Sequence, residues 1–479
     1  MAAPKRIVHP SLAERRALGK ELRKKVPLAS HAEWKLAGEH PDHIALLEEQ
    51  NARRDPDLVP VRRGRMVVSP FTFYRGSARV MAYDLMGTPR AGLTVQLCGD
   101  AHLLNFGVYA SPERQLLFGL NDFDETLPGP FEYDVKRLAA SFVLAARDNG
   151  FARADQRLCT RAVVRTYREA MAAFAQMRTL DIWYARLSEA DLLAAVKRAR
   201  KAQKTARGKA EADAEAARAV KNVAKAHARD SLQALSRLAE HVDGHYRIVS
   251  QPPVVVPSRE LYATYGLDPA IVDGVIHGVF RAYRATLQPD RRTLLEKFRI
   301  VDVARKVVGV GSVGTRDFIV LLEGRDEDDP LFLQVKEAER SVLEDHLPRS
   351  RFRHPGERVV QGQRLMQAAS DIFLGWIRGL EPDRTFYLRQ LRDMKGSVDV
   401  AVMKPLGLSV YAELCGWTLA RGHARSGDPV AIAAYLGKSD AFDEAIVKYA
   451  ERYADHTELD HEAFVEAVKA GRLQALEGV

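Results

Sequence analysis

Two short segments of the chain combine acidic and amide side chains at a spacing that could support catalysis. The first, Gly-Asp-Ala-His-Leu-Leu-Asn, contains Asp100 and, five positions later, Asn105. The second, Asn-Asp-Phe-Asp-Glu, contains Asp122 and Asp124. Phosphoryl transfer needs a carboxylate that orients the attacking hydroxyl, and an amide oxygen and a carboxylate that hold Mg²⁺ on the nucleotide phosphates. The two segments therefore predict phosphoryl transfer. The alternative is a pair of ordinary turns, because Gly-Asp and Asn-Asp are common turn dipeptides.

Short apolar runs lead into both segments. Residues 93–97 and 116–120 are predicted to be strands that end at the two acidic segments. A strand, a loop and a second strand would bring the acidic groups together in space. Residues 131–149 follow, and their apolar positions recur at helical spacing.

A glycine-rich segment far downstream is a candidate phosphate-binding loop. Gly309, Gly311, Ser312 and Gly314 lie in a G-x-G-x-x-G pattern, which alone is a weak signal. In dinucleotide-binding folds such glycines open a helix, whereas here a strand-like run, 318–322, and then a hairpin follow. A glycine-rich turn within a β-hairpin is the kinase arrangement, in which backbone amides cover the phosphates.

The strand after this hairpin ends at a lysine that could contact phosphates. Lys336 follows the apolar run 331–335, and its alternative role is that of a solvent-facing strand lysine. Glu357, in the helix that follows, could form an ion pair with Lys336, and Glu344 is a competing choice. Exposed helix glutamates are abundant, so Glu357 is the weaker prediction. Residues 386–391 are predicted to be a strand that leads into a hinge beside the adenine.

Composition sets the broad class of the protein. With 479 residues, 46% of them hydrophobic and 28% charged, the sequence is typical of a globular protein with two or three structural units. The formal net charge of +9 suits a nucleotide or weak nucleic-acid binding, and decides neither. Three widely spaced cysteines indicate neither a zinc site nor a disulfide framework. With no apolar signal core and no run of 18 apolar residues, we expect a cytoplasmic protein without a membrane span.

Changes in composition divide the chain into four parts. Residues 251–257, Gln-Pro-Pro-Val-Val-Val-Pro, are the best candidate for a boundary, and residues 152–245 are predicted to be almost wholly helical. Within them, the basic segment 197–229 is predicted to be a solvated helical pair or a partly disordered insert. A nucleic-acid patch is the minor alternative, because aromatic residues that would stack on bases are absent there. The predicted parts are an N-terminal helical arm (1–60), a helical lobe with the two acidic loops (61–296), a small β lobe (297–400) and a C-terminal helical segment packing on the large lobe (401–479).

The first acidic segment resembles the catalytic loop of aminoglycoside phosphotransferases and related small-molecule kinases, which reads His-Gly-Asp-x-His-x-x-Asn before an Ile-Asp-Phe/Trp-Asp/Glu metal motif. The resemblance implies an ATP- and Mg²⁺-dependent enzyme. It implies the following roles: Asp100 as catalytic base, His102 as a residue that orders the loop, Asn105 and Asp122 as Mg²⁺ ligands, and Asp124 as an auxiliary acid.

Asp134 resembles the helix residue that supports this loop from behind, and we group it with the catalytic candidates. A simple acid at a helix N-terminus is the alternative. Arg75 is a weaker substrate candidate, because it could bind an anionic substrate or form a structural ion pair.

The whole chain, from about residue 15 to 475, is similar to an uncharacterised bacterial family, domain-of-unknown-function family 2252. Four motifs carry that resemblance: Ser-Pro-Phe-x-Phe-x-Arg-Gly (69–76), Gly-Asp-Ala-His-x-x-Asn-Phe-Gly (99–107), Asn-Asp-Phe-Asp-Glu (121–125) and Gly-Gln-Arg-x-Met-Gln (362–367). The family is generally grouped with protein-kinase-like folds.

The sequence departs from the kinase pattern in two ways. Cys98 replaces the His before Gly-Asp, and the acidic loops precede the glycine-rich loop instead of following it. A circular permutation could restore the geometry, with His423 in a helix like the one that ordinarily precedes the catalytic loop. We therefore expect an α+β, protein-kinase-like, two-lobed fold in permuted order, with a mostly helical large lobe and a small antiparallel β lobe.

Three functions are consistent with these patterns. The first is an ATP/Mg²⁺-dependent phosphotransferase that acts on a hydroxyl group of a small molecule. The second keeps the fold but transfers the nucleotide moiety, or binds nucleotide without catalysis. The third, a nucleic-acid-associated binding protein that uses 197–229, is the least favoured.

Overall fold

The computed structural model describes residues 8–34, 42–242, 244–265, 268–307, 309–379, 381, 383–391 and 393–478. It is a mixed α+β structure with several small antiparallel sheets. Short 3₁₀ helices occur at Leu28–Ala32, Leu103–Asn105, Val342–Asp345 and Val400–Val402.

The N-terminal part is helical. Its helices are α1 (Leu12–Lys25), α2 (His43–Asn51), α3 (Val59–Val67), α4 (Pro70–Gly76) and α5 (Ala78–Met86). Helix α4 begins at Ser69, whose hydroxyl accepts from the backbone N–H of Thr72, and Pro70 occupies the first helical position. Both residues favour a helix start, which places the Arg75 side chain on a helix.

Short strands and two long helices follow. They are β1 (Thr94–Leu97), β2 (Phe106–Ala110), β3 (Leu116–Leu120), β4 (Leu127–Pro130), α6 (Phe131–Asp148) and α7 (Arg153–Phe174). Strand β1 pairs with β4 and β2 pairs with β3, both antiparallel. The two acidic segments connect these strands, as the sequence predicts. Every residue of α6 from 131 to 146 is buried, so α6 is the central helix of the core.

The next segment is less helical than the sequence predicts. Its elements are α8 (Thr179–Tyr184), β5 (Leu187–Ser188), α9 (Glu189–Ala202), α10 (Ala206–His227), α11 (Ser231–Leu238), β6 (Ala239–Val242) and β7 (His245–Ile248). Helices α9 and α10 are a packed pair that covers most of the basic segment. The departure is the β6–β7 hairpin, whose turn contains Gly244 at a φ of +83°, a conformation that glycine adopts without strain.

One six-stranded antiparallel sheet forms a separate body. The elements of this part are β8 (Val255–Pro257), α12 (Ser258–Tyr265), α13 (Pro269–Arg284), α14 (Pro289–Leu295), β9 (Arg299–Lys306), β10 (Phe318–Glu323), β11 (Pro330–Glu337), α15 (Pro355–Met366), β12 (Gly375–Arg378) and β13 (Thr385–Gln390). The strand order is β12-β13-β11-β10-β9-β8, and α15 packs on β12 and β13. Strand β8 lies within the predicted boundary segment, so the sheet begins upstream of residue 297.

Three helices complete the chain: α16 (Pro405–Ser426), α17 (Pro429–Leu436) and α18 (Ala441–Lys469). Helix α16 packs on α7, and α18 packs on both α6 and α7. The core of the helical part is therefore built from widely separated portions of the chain. In the described residues, no helix combines the length and apolar character needed to cross a membrane.

The end of α16 lies directly beside the start of β1. The backbone N–H of Gln96 donates to Ser426 Oγ at 3.0 Å. Gly427 is equally close, since a Cβ there would lie 3.0 Å from the Thr94 carbonyl oxygen. Two points more than 300 residues apart in the sequence thus meet as neighbours in space.

Candidate functional site

A polar cleft of about 170 Å³ lies where the six-stranded sheet meets the helical part. The N-terminal helices, both acidic loops, the glycine-rich loop and the end of β11 contribute to its walls. The predicted site residues that line it are Arg75, Asp100, His102, Asn105, Asp122, Asp124, Gly309, Gly311 and Ser312.

The loop after β1 turns sharply at Gly99. Its φ is +87°, and a Cβ there would lie 2.1 Å from the Glu125 carbonyl oxygen, so only glycine fits. Further along, Asn105 Nδ2 donates to the Asp100 carbonyl oxygen at 2.6 Å. That bond fixes the amide orientation, so Oδ1 is the atom that Asn105 can offer to a cation.

Asp134 supports this loop from behind. Its carboxylate accepts from the backbone N–H groups of Cys98 (2.7 Å) and Gly99 (3.0 Å), and it lies 3.2 Å from His423 Nε2. With its side chain only 1% exposed, Asp134 is behind the cleft and not in it. It is therefore a positioning residue, which corrects its grouping with the catalytic candidates.

Cys98 links the two acidic segments. Its thiol donates to the Asp122 carbonyl oxygen at 3.3 Å. Burial, with Asp134 nearby, raises the pKa of the Cys98 thiol well above its usual range. Cys98 is therefore a neutral hydrogen-bond donor that ties one loop to the other.

Asp100 has a buried cationic partner. Arg137, on α6, donates from Nε to Asp100 Oδ1 at 2.5 Å, and its guanidinium lies 4.3 Å from the centre of the Tyr74 ring. His102 Nε2 is 3.8 Å from the other carboxylate oxygen, Oδ2. Burial lowers the pKa of His102 to about 4, so this imidazole is neutral at physiological pH. Among the described residues, Arg137 is the cation bonded to Asp100.

Lys336 crosses from β11 to the second acidic segment. Its Nζ lies 2.6 Å from Asp124 Oδ2 and 3.4 Å from Asp122 Oδ2, and the side chain is 3% exposed. The Tyr387 hydroxyl donates to Asp124 Oδ1 at 2.7 Å. The residues that sequence reasoning assigned to metal and to phosphate binding are thus in direct contact.

The charges in this contact shift each partner's pKa. Burial favours a raised pKa for Asp122, but Lys336, with Arg389 and Lys395, outweighs it and holds the pKa below its usual range. Burial and the neighbouring Asp122 raise the pKa of Asp124. Burial opposes the charge on Lys336, yet the two aspartates raise its pKa well above the usual range. Lys336 is therefore a permanent cation at neutral pH.

The glycine-rich loop connects β9 to β10, and the N-terminal segment holds it. Arg54 Nη1 donates to the Val313 carbonyl oxygen at 2.5 Å, and the Asp55 N–H donates to the Gly314 carbonyl oxygen at 2.8 Å. Gly309 and Gly314 have φ values of +66° and +88°. The carbonyl oxygens of Val313 and Gly314 therefore point toward the N-terminal segment.

Glu357 is not brought to Lys336. Helix α15 begins at Pro355, so Glu357 lies in its first turn, where its N–H donates to His354 Nδ1 at 3.3 Å. In the described part of the chain, no ion pair joins Glu357 to Lys336. Glu344 pairs instead with arginines, Arg340 among them. The predicted Lys336–Glu357 pair is absent from the described residues, because Lys336 is directed at Asp122 and Asp124 and Glu357 lies in the first turn of α15.

Arg75 lines the cleft near Asp100. Among the described residues it has no hydrogen-bond or ion-pair partner, and its Nε is fully buried. Burial lowers the pKa of its guanidinium, and Asp100 offsets part of that shift.

The donor atoms at the cleft fit a hard cation. Asp122, Asp124 and Asn105 offer two carboxylates and an amide oxygen, and Mg²⁺ characteristically combines one or two carboxylates with phosphate oxygens and water. In the described ranges no group of three or more His, Cys, Asp or Glu forms a metal cluster. The residues fit Mg²⁺ carried by a nucleotide better than Mg²⁺ held by protein alone.

Comparison with known protein families gives one match. The family model described as "Uncharacterized protein conserved in bacteria (DUF2252)" matches residues 54–467. The chain belongs to this family. No curated protein and no solved structure matches it significantly.

The DUF2252 match covers both acidic loops, the glycine-rich loop and the N-terminal residues that hold it. Sequence reasoning missed three residues at the site: Arg54, Arg137 and Tyr387. A signal existed for Arg137, which lies one helical turn after Asp134 and so faces the same loop. No local pattern marks Arg54, whose partners are about 260 residues away.

Proposed function

We propose that the protein is an ATP- and Mg²⁺-dependent phosphotransferase of the protein-kinase-like type that acts on a hydroxyl group of a small molecule. The observation that carries the proposal is the contact of Lys336 Nζ with Asp122 and Asp124. A phosphate-binding lysine and metal-binding acids must adjoin the same phosphates, so their direct contact is the arrangement such a site needs.

The order of elements in the six-stranded sheet supports the proposal. The glycine-rich loop joins β9 to β10, Lys336 lies on the next strand, and α15 follows before β12 and β13. In protein kinases a glycine-rich loop covers the phosphates and the lysine lies on the third strand. The missing pair between Lys336 and Glu357 is a departure from that pattern.

The junction between α16 and β1 supports a permuted connection. A kinase chain would run from the helix bearing His423 directly into the strand before the catalytic loop. Here the end of that helix is hydrogen-bonded to β1 through Ser426 and Gln96. Permutation preserves a site when the two points it separates remain neighbours.

Asp100 would orient the acceptor hydroxyl and accept its proton at Oδ2, because Arg137 occupies Oδ1. The phosphoryl-transfer transition state is largely dissociative and asks mainly for positioning of the hydroxyl, which a carboxylate held in place by Arg137 can provide. Asp134 and Cys98 would keep the two loops in register during this step.

Lys336 and the backbone amides of 309–314 would bind the nucleotide phosphates. Asn105, Asp122 and Asp124 would hold the cation, and Mg²⁺ neutralises the charge that develops on the transferred phosphoryl group. When phosphates enter, Lys336 has to exchange part of its contact with the aspartates for phosphate oxygens.

Nucleotide binding tests the assignment of the metal ligands. Isothermal titration calorimetry with Mg²⁺ and a non-hydrolysable ATP analogue should give a Kd that Asp122→Asn raises about ten-fold or more, since a charge-assisted contact is lost. Asp326→Asn, in the β10–β11 turn, is the matched control and should leave the Kd unchanged. Equal binding by wild type and Asp122→Asn would contradict the metal assignment.

The products of ATP turnover test the reaction. Phosphorus NMR should detect ADP without pyrophosphate. Release of pyrophosphate would establish nucleotidyl transfer in place of phosphotransfer, and wild-type protein that binds no nucleotide would overturn the proposal.

A further inference from the structure

Arg75 is a cation without a bonded partner in a largely buried position. It lies on α4 and lines the cleft, yet no hydrogen bond or ion pair within the described residues reaches its guanidinium. A guanidinium has five N–H donors, and burying a charge without partners costs free energy. Such a side chain indicates that an anion completes its environment.

The acids near Arg75 do not supply that anion. Asp100 is the acid that offsets part of the lowering of the Arg75 pKa by burial, but Asp100 is already paired with Arg137 at 2.5 Å. On the other side, Asp122 and Asp124 share the contact with Lys336. Among the described residues, Arg75 is therefore bonded to none of the carboxylates that line the cleft.

A second arginine lies in a similar position. Arg54 is buried and lines the same cleft, and it donates only to a carbonyl oxygen of the glycine-rich loop. Its Nε is also buried without a partner among the described residues. Glu339, the acid with the strongest effect on its pKa, is paired with Arg53. Two arginines thus line the cleft, and within the described residues neither forms an ion pair with a carboxylate.

The backbone next to Arg75 contacts the residue that pairs with Asp100. Arg137 Nη2 donates to the carbonyl oxygen of Tyr74, the residue before Arg75, at 3.0 Å, and Arg137 Nε donates to Asp100. Lys336 reaches Asp122 and Asp124 from β11. In the proposed phosphotransferase, Asp100 marks the acceptor side and Lys336 marks the nucleotide side.

We infer that the acceptor carries an oxyanion group, a carboxylate or a phosphate, next to the hydroxyl that is phosphorylated, and that Arg75 binds this group. The inference rests on the proposed phosphotransferase function. An arginine fork matches the planar or tetrahedral geometry of such groups and would hold the hydroxyl toward Asp100. Neutral polyols and cationic acceptors would leave Arg75 unpaired.

Anion titrations test the inference. Inorganic phosphate, acetate and neutral glycerol are each titrated by calorimetry into protein saturated with Mg²⁺ and the non-hydrolysable ATP analogue. Phosphate or acetate should bind and glycerol should not. Arg75→Met should weaken anion binding about ten-fold or more, and Arg75→Lys should retain part of it. Arg79→Met, on the neighbouring helix α5, should not change it.

The outcomes separate the inference from the proposed function. Equal anion affinity in wild type and Arg75→Met, with both folded by thermal melting, would overturn the role of Arg75. If Arg75→Met instead weakens binding of the nucleotide analogue, Arg75 belongs to the nucleotide side and the inference is wrong. If the wild type binds no nucleotide, the phosphotransferase and its acceptor fail together, whereas loss of phosphate binding in Arg75→Met would still support an oxyanion site.

Discussion

The two halves of the cleft handle their buried charges in opposite ways. In the lysine half, Lys336, Asp122 and Asp124 are bonded to one another, and Tyr387 completes the set. In the arginine half, Arg75 has no bonded partner within the described residues although it is largely buried. Charges that are bonded to one another persist without a ligand, whereas a buried charge without a bonded partner lowers stability until a ligand arrives. Stability measurements should therefore distinguish the halves before any substrate is known.

The largest effect should follow from removing the lysine. Lys336→Met leaves two partly exposed carboxylates without their buried cation and should lower the free energy of unfolding by about 1–3 kcal/mol in urea titrations. Mg²⁺ should restore part of the loss in this variant and should affect the wild type less, because Lys336 occupies the aspartates there. Lys297→Met, at an exposed position, is the control. An unchanged free energy of unfolding would show that the lysine half is not balanced by this contact.

A smaller, pH-dependent effect should come from Asp317, beside Lys336. Burial raises the pKa of Asp317 to about 8 from an ordinary value of 3.8. The folded state therefore binds this proton more tightly than the unfolded state, so the contribution of Asp317 to stability falls as the pH rises from about 4 to 8. Asp317→Asn mimics the protonated form and should raise the melting temperature more at pH 9 than at pH 6. The same difference at both pH values would contradict a protonated Asp317.

The smallest effect should follow from removing the unpaired arginine. Arg75→Met removes a charge that is bonded to no carboxylate among the described residues, so the free energy of unfolding should stay within about 1 kcal/mol of wild type or increase. Urea titrations of Arg75→Met and Lys336→Met side by side make the comparison direct. A loss in Arg75→Met as large as that in Lys336→Met would mean that Arg75 has a structural partner.

Local patterns predicted much of the fold but fewer of its contacts. The α+β class, the strands flanking the acidic loops and the hairpin before Lys336 follow from apolar runs and turn residues. The β6–β7 hairpin was missed because a single Gly244 reverses an otherwise helical pattern. Glu357 does lie in a helix as predicted, but its contact with Lys336 depended on how α15 packs on the sheet, which no local pattern records.

The site contains contacts that no sequence window includes. Lys336 and Asp122 are separated by 214 positions in the sequence. The local motifs identified each residue as a candidate, but the contact between them could only be a hypothesis. Arg137 and Arg54 escaped prediction because a buried arginine has no local signature. The role of a buried arginine is determined by the residues that it contacts in space and not by its neighbours in the sequence.

The junction between α16 and β1 joins an early and a late part of the chain, which has a consequence for folding during synthesis. Helix α6, buried on all sides, leaves the ribosome more than 250 residues before α16 and α18, which cover it. Until then only part of its apolar surface is covered, by α4, α7 and β1, and exposed apolar surfaces on nascent chains are prone to aggregation and recruit chaperones. The support of the first acidic loop combines Asp134 of α6 with His423 of α16, so it is complete only when α16 has emerged. A translation product that ends before α16 therefore lacks part of the support of the cleft.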